Sequence, residues 1–226
     1  DHDDGDIGEA LALFFAQDRI GERGEQRSDS GGAKQCPTPA AVKEIADEKH
    51  GKRARRYRIE HAQHLRPQDV PRFATLGVIA SMQPYHAIDD GRWAEKRIGP
   101  ERIKTTYAFR SLLDSGAVLA FGSDWTVAPS DPMLGLYAAV TRRTLDGKHP
   151  AGWVPEEKIS LEEALRGYTT GHARATMAES RRGILRPGMA ADLVLLDRDL
   201  FATPASELAE VQVRATVAGG RVVYRR

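Results

Sequence analysis

Arg58-Ile59-Glu60-His61-Ala62-Gln63-His64 and, further along, Phe121-Gly122-Ser123-Asp124-Trp125 decide how this chain is read. Each is a short apolar or β-favouring run that ends on a residue able to bind a metal, which is how strand-end sites are built at the rim of α/β barrels. The remainder of the chain is read outward from these two ends.

Between them one grammar repeats. Pro67 to Leu76 carries helical apolar spacing at Val70, Phe73, Ala74 and Leu76, stops at Gly77, and is followed by Val78-Ile79-Ala80-Ser81-Met82, a buried strand. Glu101 to Ser115 predicts a second helix, stops at Gly116, and leads into the strand Ala117-Val118-Leu119-Ala120-Phe121. Helix, glycine, near-continuous apolar strand and then a polar residue is the rhythm of a parallel sheet buried on both faces. The segment Tyr85 to Gly99 between these units reads as a loop.

Before His61, Thr38 and Pro39 suit the start of a helix through Val42, Ile45, Ala46 and Lys49, closed by Gly51. Residues 1–37 are poorly defined: Gly21 to Lys34 lacks apolar periodicity and reads as loop, and the cluster Ile7 to Phe15 fits strand and helix equally. The basic run Lys52 to Arg56 reads as a solvated loop rather than a phosphate site, because no glycine-rich cradle accompanies it. After Asp124, Asp131-Pro132 opens a helix towards Arg143, and Ser160 with Glu163 forms a capping box. From about residue 181 the character changes to β: Ala191 to Leu196, then Val211 to Val217 meeting Arg221 to Tyr224 across Gly219-Gly220, a two-residue hairpin signal.

Composition narrows the partners. With 33 basic and 32 acidic residues the formal charge is +1, which supplies no electrostatic drive towards nucleic acid or a membrane surface. A 41% hydrophobic and 29% charged composition over 226 residues is that of a soluble globular protein with a small-molecule partner. No apolar run approaches the roughly 18 residues that span a bilayer, and the acidic start Asp1-His2-Asp3-Asp4 is unlike a signal peptide, so the expected location is cytoplasmic. The single cysteine, Cys36, excludes an intrachain disulfide and a cysteine-cluster metal site, and reads as a free thiol in a turn.

His61 and Asp124 are the candidates for chemistry. Imidazole nitrogen and carboxylate oxygen are both good zinc ligands, and a carboxylate beside the bound water can take its proton. From spacing alone, however, a histidine ending a strand is more often structural, and an aspartate after Gly-Ser is a common turn residue. Neither stands singly.

Taken together the motifs are more specific. Arg58-Ile59-Glu60-His61-Ala62-Gln63, Ala80-Ser81-Met82-Gln83-Pro84, and Ala120-Phe121-Gly122-Ser123-Asp124-Trp125 followed by Asp131-Pro132 resemble successive motifs of the amidohydrolase superfamily. The resemblance is closest to amidohydrolase family 3, the branch with N-substituted formamide deformylase-like proteins. Gly183 to Leu195 is similar to the segment where that superfamily's chain leaves its barrel for a small β-sandwich. The order is kept from about Lys49 to the end.

The resemblance implies an α/β fold: the C-terminal half of a (β/α)8 barrel of TIM type over residues 38–180, and β-sandwich strands over 181–226. It implies hydrolysis of a carbon–nitrogen bond in an amide, formamide or cyclic amide, with one or two divalent ions, zinc first among them. His61 would be a metal ligand, and Asp124 both metal ligand and catalytic base. Gln83 and His86 would contact substrate or the carbonyl oxygen as charge develops. His64, His149, His172, Trp93 and Trp125 are read as scaffold or pocket wall.

Departures from the family pattern matter as much. The early His-x-His pair, the bridging lysine and the histidine one helix before His61 are missing; Gln35 to Ala40 stands at the last of these places, and Asp4-Gly5-Asp6 resembles a segment just after the family's lysine. A complete barrel takes about 250 residues, so the expectation is a partial barrel that begins midway. A second reading, a truncated or degenerate non-catalytic homologue, stays open. An incomplete barrel exposes a sheet edge, which favours self-association.

Overall fold

The computed structural model describes residues 47–52 and 55–226, and the chain divides into two compact units, Asp1–Arg55 and Arg56–Arg226. In the first, residues 47–50 are helical, in line with the end of the expected 38–51 helix, and Arg55 pairs with Asp47 at 2.5 Å. The rest of that helix, the cluster Ile7 to Phe15, the run Gly21 to Lys34 and Cys36 lie outside the described residues.

The second unit is mixed α/β. Strands β1 (Arg58–Glu60), β2 (Ile79–Met82) and β3 (Val118–Phe121) pair in that order and in parallel. The register sets Glu60 beside Ser81 and Ser81 beside Ala120, with Met82 beside Phe121. β2 and β3 are almost wholly buried, which is why they read as apolar runs without alternation.

Helix α1 (Val70–Leu76), entered through a 3-10 turn at Pro67–Asp69, returns the chain from β1 to β2. It ends at Gly77, φ +66°, a left-handed cap that glycine adopts without a Cβ penalty. Between β2 and β3 lie α2 (Pro84–Asp90), α3 (Ala94–Ile98) and α4 (Phe109–Asp114). Two expectations change here. The stretch Tyr85 to Gly99, read as loop, is largely helical, since Pro84 sits at the first helical position where its missing N–H costs nothing. The single helix expected over Glu101 to Ser115 is instead a 3-10 turn, Arg102–Thr105, then a break at Tyr107, φ +51°, then α4.

The break has a non-local cause. Arg142 is fully buried and donates to the carbonyls of Trp153 at 2.7 Å, Tyr107 at 2.9 Å and Thr106 at 3.2 Å. The Thr106 and Tyr107 carbonyls are turned towards the guanidinium, and Tyr107 N donates to the Gln63 carbonyl at 2.8 Å, so these groups leave the helical ladder. Arg142 closes α5 (Pro132–Thr141), whose N-terminus is capped by the Asp131 carboxylate accepting from Met133 N at 2.9 Å.

The capping box opens α6 (Leu161–Arg166): Ser160 accepts from Glu163 N, and Glu163 accepts from Ser160 N. A π-helical turn, Gly167–Gly171, and α7 (His172–Ala175) follow and lie directly on β3. A Cβ at Gly171 would stand 2.0 Å from the Leu119 carbonyl oxygen, and one at Gly167 2.5 Å from the Phe121 ring. Small residues here let helix and strand backbones approach closely. The core between the layers holds Phe73, Met82, Phe109, Leu112, Phe121, Met133, Leu136 and Trp153.

The C-terminal strands β4 (Leu193–Leu196), β5 (Val213–Ala218) and β6 (Arg221–Arg225) form a separate antiparallel sheet, with β5 and β6 joined at Gly219-Gly220 as the hairpin signal predicts. Val194, Leu195, Val222 and Val223 on it are exposed.

Gly171→Ala tests the β3 contact. Alanine's helix propensity offsets about 1 kcal/mol, but the clash is with backbone and no rotamer relieves it. The expected net loss is about 1–3 kcal/mol, measured by urea unfolding beside the exposed control Thr170→Ala.

Candidate metal centre and its cavity

The parallel ladder delivers three chain segments to one edge. β1 ends at Glu60 and His61 follows; β2 ends at Met82 and Gln83 follows; β3 ends at Phe121 and Asp124 comes three residues later. Gly122 N donates to the Met82 carbonyl at 3.1 Å, carrying the ladder one bond beyond β3.

Both candidate ligands sit on unusual backbone. His61 has φ +65°, its neighbour Ala62 φ +40°, and Asp124 φ +57°. Left-handed backbone on a non-glycine residue costs of order 1–3 kcal/mol and persists only where the surroundings enforce it. At Asp124 the enforcement includes Val127 N donating to the Asp124 carbonyl at 2.7 Å.

His61 Nδ1 lies 3.0 Å from Gln83 Oε1. An amide oxygen only accepts, so this contact places the imidazole hydrogen on Nδ1 and leaves Nε2 with a free lone pair. Gln83 itself is buried and lies behind His61 rather than in the cavity wall.

His86 occupies the first turn of α2, its ring stacked on that of His61 with centroids 6.2 Å apart. Its Nε2 is buried without a hydrogen-bond partner, 4.0 Å from Asp124 Oδ2. Burial lowers the His86 pKa below the usual histidine value, against the opposing pull of Asp124 and Asp90. The neutral imidazole is therefore favoured, and that is the form that ligates metal.

One ligand atom from each of His61, His86 and Asp124 lies within 4.8 Å of the other two, the one such grouping found among the described residues. Two imidazoles and a carboxylate form a donor set that zinc accepts, with a position left for water or substrate. The orphaned His86 Nε2 fits that use: a buried polar atom without a partner is costly, and a cation would satisfy it.

A cavity of about 280 Å³ opens over the three, lined also by Gln63, Tyr85, Asp89, Asp90, Tyr107, Val127 and Ala128. Tyr107 OH donates to Asp90 Oδ2 at 2.6 Å, and Gln63 Nε2 donates to the same oxygen. Burial first, and then Asp90, push the Tyr107 phenol far above its ordinary pKa, so it stays a donor. None of His64, His149, His172, Trp93 or Trp125 lines the cavity; His64 instead contacts Thr106 Oγ1 at 3.0 Å.

Of the residues expected from sequence, His61, His86 and Asp124 are brought together and Gln83 supports the first of them. Gln63, Asp89, Asp90 and Tyr107 join the cavity wall without being among the residues expected from sequence. A signal existed for the aspartates: once Pro84 is taken as a helix start, His86, Asp89 and Asp90 fall at i, i+3 and i+4 on one face.

Residues 29–224 match the amidohydrolase family. The chain is 41% identical over 176 residues to protein LONG AFTER FAR-RED 3 of Arabidopsis thaliana, an alignment covering 77% of this chain and 30% of that protein. To N-substituted formamide deformylase of Arthrobacter pascens it is 33% identical, covering 75% of this chain and 31% of the relative. Among solved structures, an uncharacterized metal-dependent hydrolase from Pyrococcus horikoshii OT3 superposes with a TM-score of 0.62 at 34% identity, covering 73% of this chain and 32% of that one. The chain thus spans about a third of the length of the curated relatives it matches.

Gln83→Leu removes the acceptor that orients His61. Loss of such an outer partner typically weakens metal binding about 10–100-fold, and that is the change expected in a zinc competition titration against a chromophoric chelator, with far-UV circular dichroism unchanged.

Proposed function

The chain belongs to the amidohydrolase family, matched over residues 29–224, and from that premise we propose that it carries part of the active site of a metal-dependent hydrolase. The reaction is cleavage of a non-peptide carbon–nitrogen bond in a small amide, formamide or cyclic amide. The observation that carries this reading is the convergence of His61, His86 and Asp124, with His86 Nε2 buried and unpartnered at the cavity floor.

Within the proposal, residues 38–180 correspond to the C-terminal half of a (β/α)8 barrel and 181–226 to β-sandwich strands. His61, His86 and Asp124 would hold a divalent ion, with zinc the first candidate from the donor set. When bound, such an ion supplies Lewis-acid polarisation of a carbonyl and lowers the pKa of water to about 7.

The chain's own residues do the rest. Gln83 holds His61 by Nδ1, which leaves Nε2 as the nitrogen that would ligate. Asp124 takes a proton from the attacking water and returns it to the leaving nitrogen, which must be protonated to depart as an amine. His86 stays neutral and holds its position against the His61 ring. A cavity of about 280 Å³ is in keeping with a small-molecule substrate. The exposed Val194, Leu195, Val222 and Val223 support self-association as part of the same reading.

Metal analysis of the purified chain, by inductively coupled plasma mass spectrometry, is expected to find a divalent transition metal that is lost on His61→Ala. Amine release from a panel of N-substituted formamides is expected to fall at least about a hundredfold in Asp124→Asn. A chain with no bound metal, and amine release unmoved by either substitution, would overturn the reading.

A further inference from the structure

Set His61, His86 and Asp124 aside, and the remaining polar wall of the cavity is Gln63, Tyr85, Asp89, Asp90 and Tyr107, with no lysine or arginine among the lining residues. The two aspartates differ in how their charge is met. Asp89 is ion-paired with Arg92 and is half-exposed towards solvent. Asp90 has no cationic partner among the described residues; its contacts are the uncharged donors Tyr107 OH and Gln63 Nε2.

Both donors fall on one oxygen, Oδ2. The carboxylate is thereby held by one oxygen while Oδ1 has no hydrogen-bond donor among the described residues. The mounting is rigid. Tyr107 is fully buried, its backbone is held at φ +51°, and its carbonyl is gripped by Arg142. Gln63 is anchored through its carbonyl, which accepts from Tyr107 N at 2.8 Å. A carboxylate oriented by neutral groups has no counter-ion in its own hydrogen-bond shell, and a cation presented to its open oxygen meets a site already in place.

We propose that Asp90 is a specificity-determining residue that receives, on Oδ1, a protonated nitrogen of the substrate: an ammonium, amidinium or guanidinium group on a small cationic amide. The proposal rests on the hydrolytic reading of the same cavity and narrows its substrate class. Neutral isosteres are disfavoured because they offer Oδ1 no charge-assisted donor.

The test is calorimetric titration of the full chain, in parallel with Asp90→Asn, using N-acetyl-1,4-diaminobutane as the cationic probe and N-pentylacetamide as its neutral isostere. The wild-type chain is expected to bind the cationic probe about 10–100-fold more tightly, the range of a charge-assisted hydrogen bond. Asp90→Asn should bring the ratio close to one by weakening the cationic probe alone. Tyr107→Phe keeps the carboxylate but removes one tether, so it should reduce the ratio severalfold, and it serves if Asp90→Asn does not fold. Equal binding of the two probes by wild type, no binding of either, or an undiminished ratio in a folded variant overturns the proposal. Metal content and amine release on the same samples separate the two readings: metal and amine release without discrimination sinks the role of Asp90 alone, whereas discrimination with neither metal nor amine release supports Asp90 and removes the hydrolytic reading.

Discussion

The parallel hydrogen-bond ladder of β1, β2 and β3 is the constraint on which the cavity depends. In a parallel sheet every strand ends on the same edge, so the residues following Glu60, Met82 and Phe121 emerge side by side however far apart they lie in sequence. The helices that return the chain cover the faces and leave that edge open. Chemistry there needs no long-range coincidence of side chains, since the register supplies it.

A second constraint comes from the opposite end of the polarity scale. Arg142 places a cation in the interior, where burial lowers its pKa to about 10 and leaves it charged at neutral pH. It is held by carbonyl oxygens and by the faces of Phe109 and Trp153, 5.5 and 5.6 Å from the guanidinium carbon. Glu157, the strongest opposing charge, is itself engaged with Ser111. The consequence is structural and reaches the cavity: by holding the Thr106 and Tyr107 carbonyls, Arg142 fixes the position from which the Tyr107 phenol reaches Asp90.

The parts legible in the sequence were those that local chemistry decides. Gly77 and Gly116 mark helix ends because only glycine takes positive φ there cheaply; Ser160 and Glu163 announce a cap; Gly219-Gly220 announces a hairpin. His61 and Asp124 were legible as strand ends within an ordered set of motifs. The misses share a physical cause. The break at Tyr107 goes with bonds to Arg142, 35 positions away, and to Gln63, 44 positions away, and no window of local sequence contains either. Asp90 and Gln63 become a pair only through the fold, and so do Gln83 and His61. The helical character of 84–98 does have a local signal, since Gln83-Pro84 is a readable start.

The left-handed backbone at His61, Ala62 and Asp124 also bears on how stability is distributed through the molecule. Strained rims lie at the low end of the local-opening spectrum, while the buried strands behind them lie near the global limit. Amide hydrogens just beyond β1 and β3 are expected to exchange ahead of those within the ladder. Anything that binds across the rim raises the protection of those few amides before it moves the melting temperature, and amide exchange becomes a site-resolved gauge of occupancy.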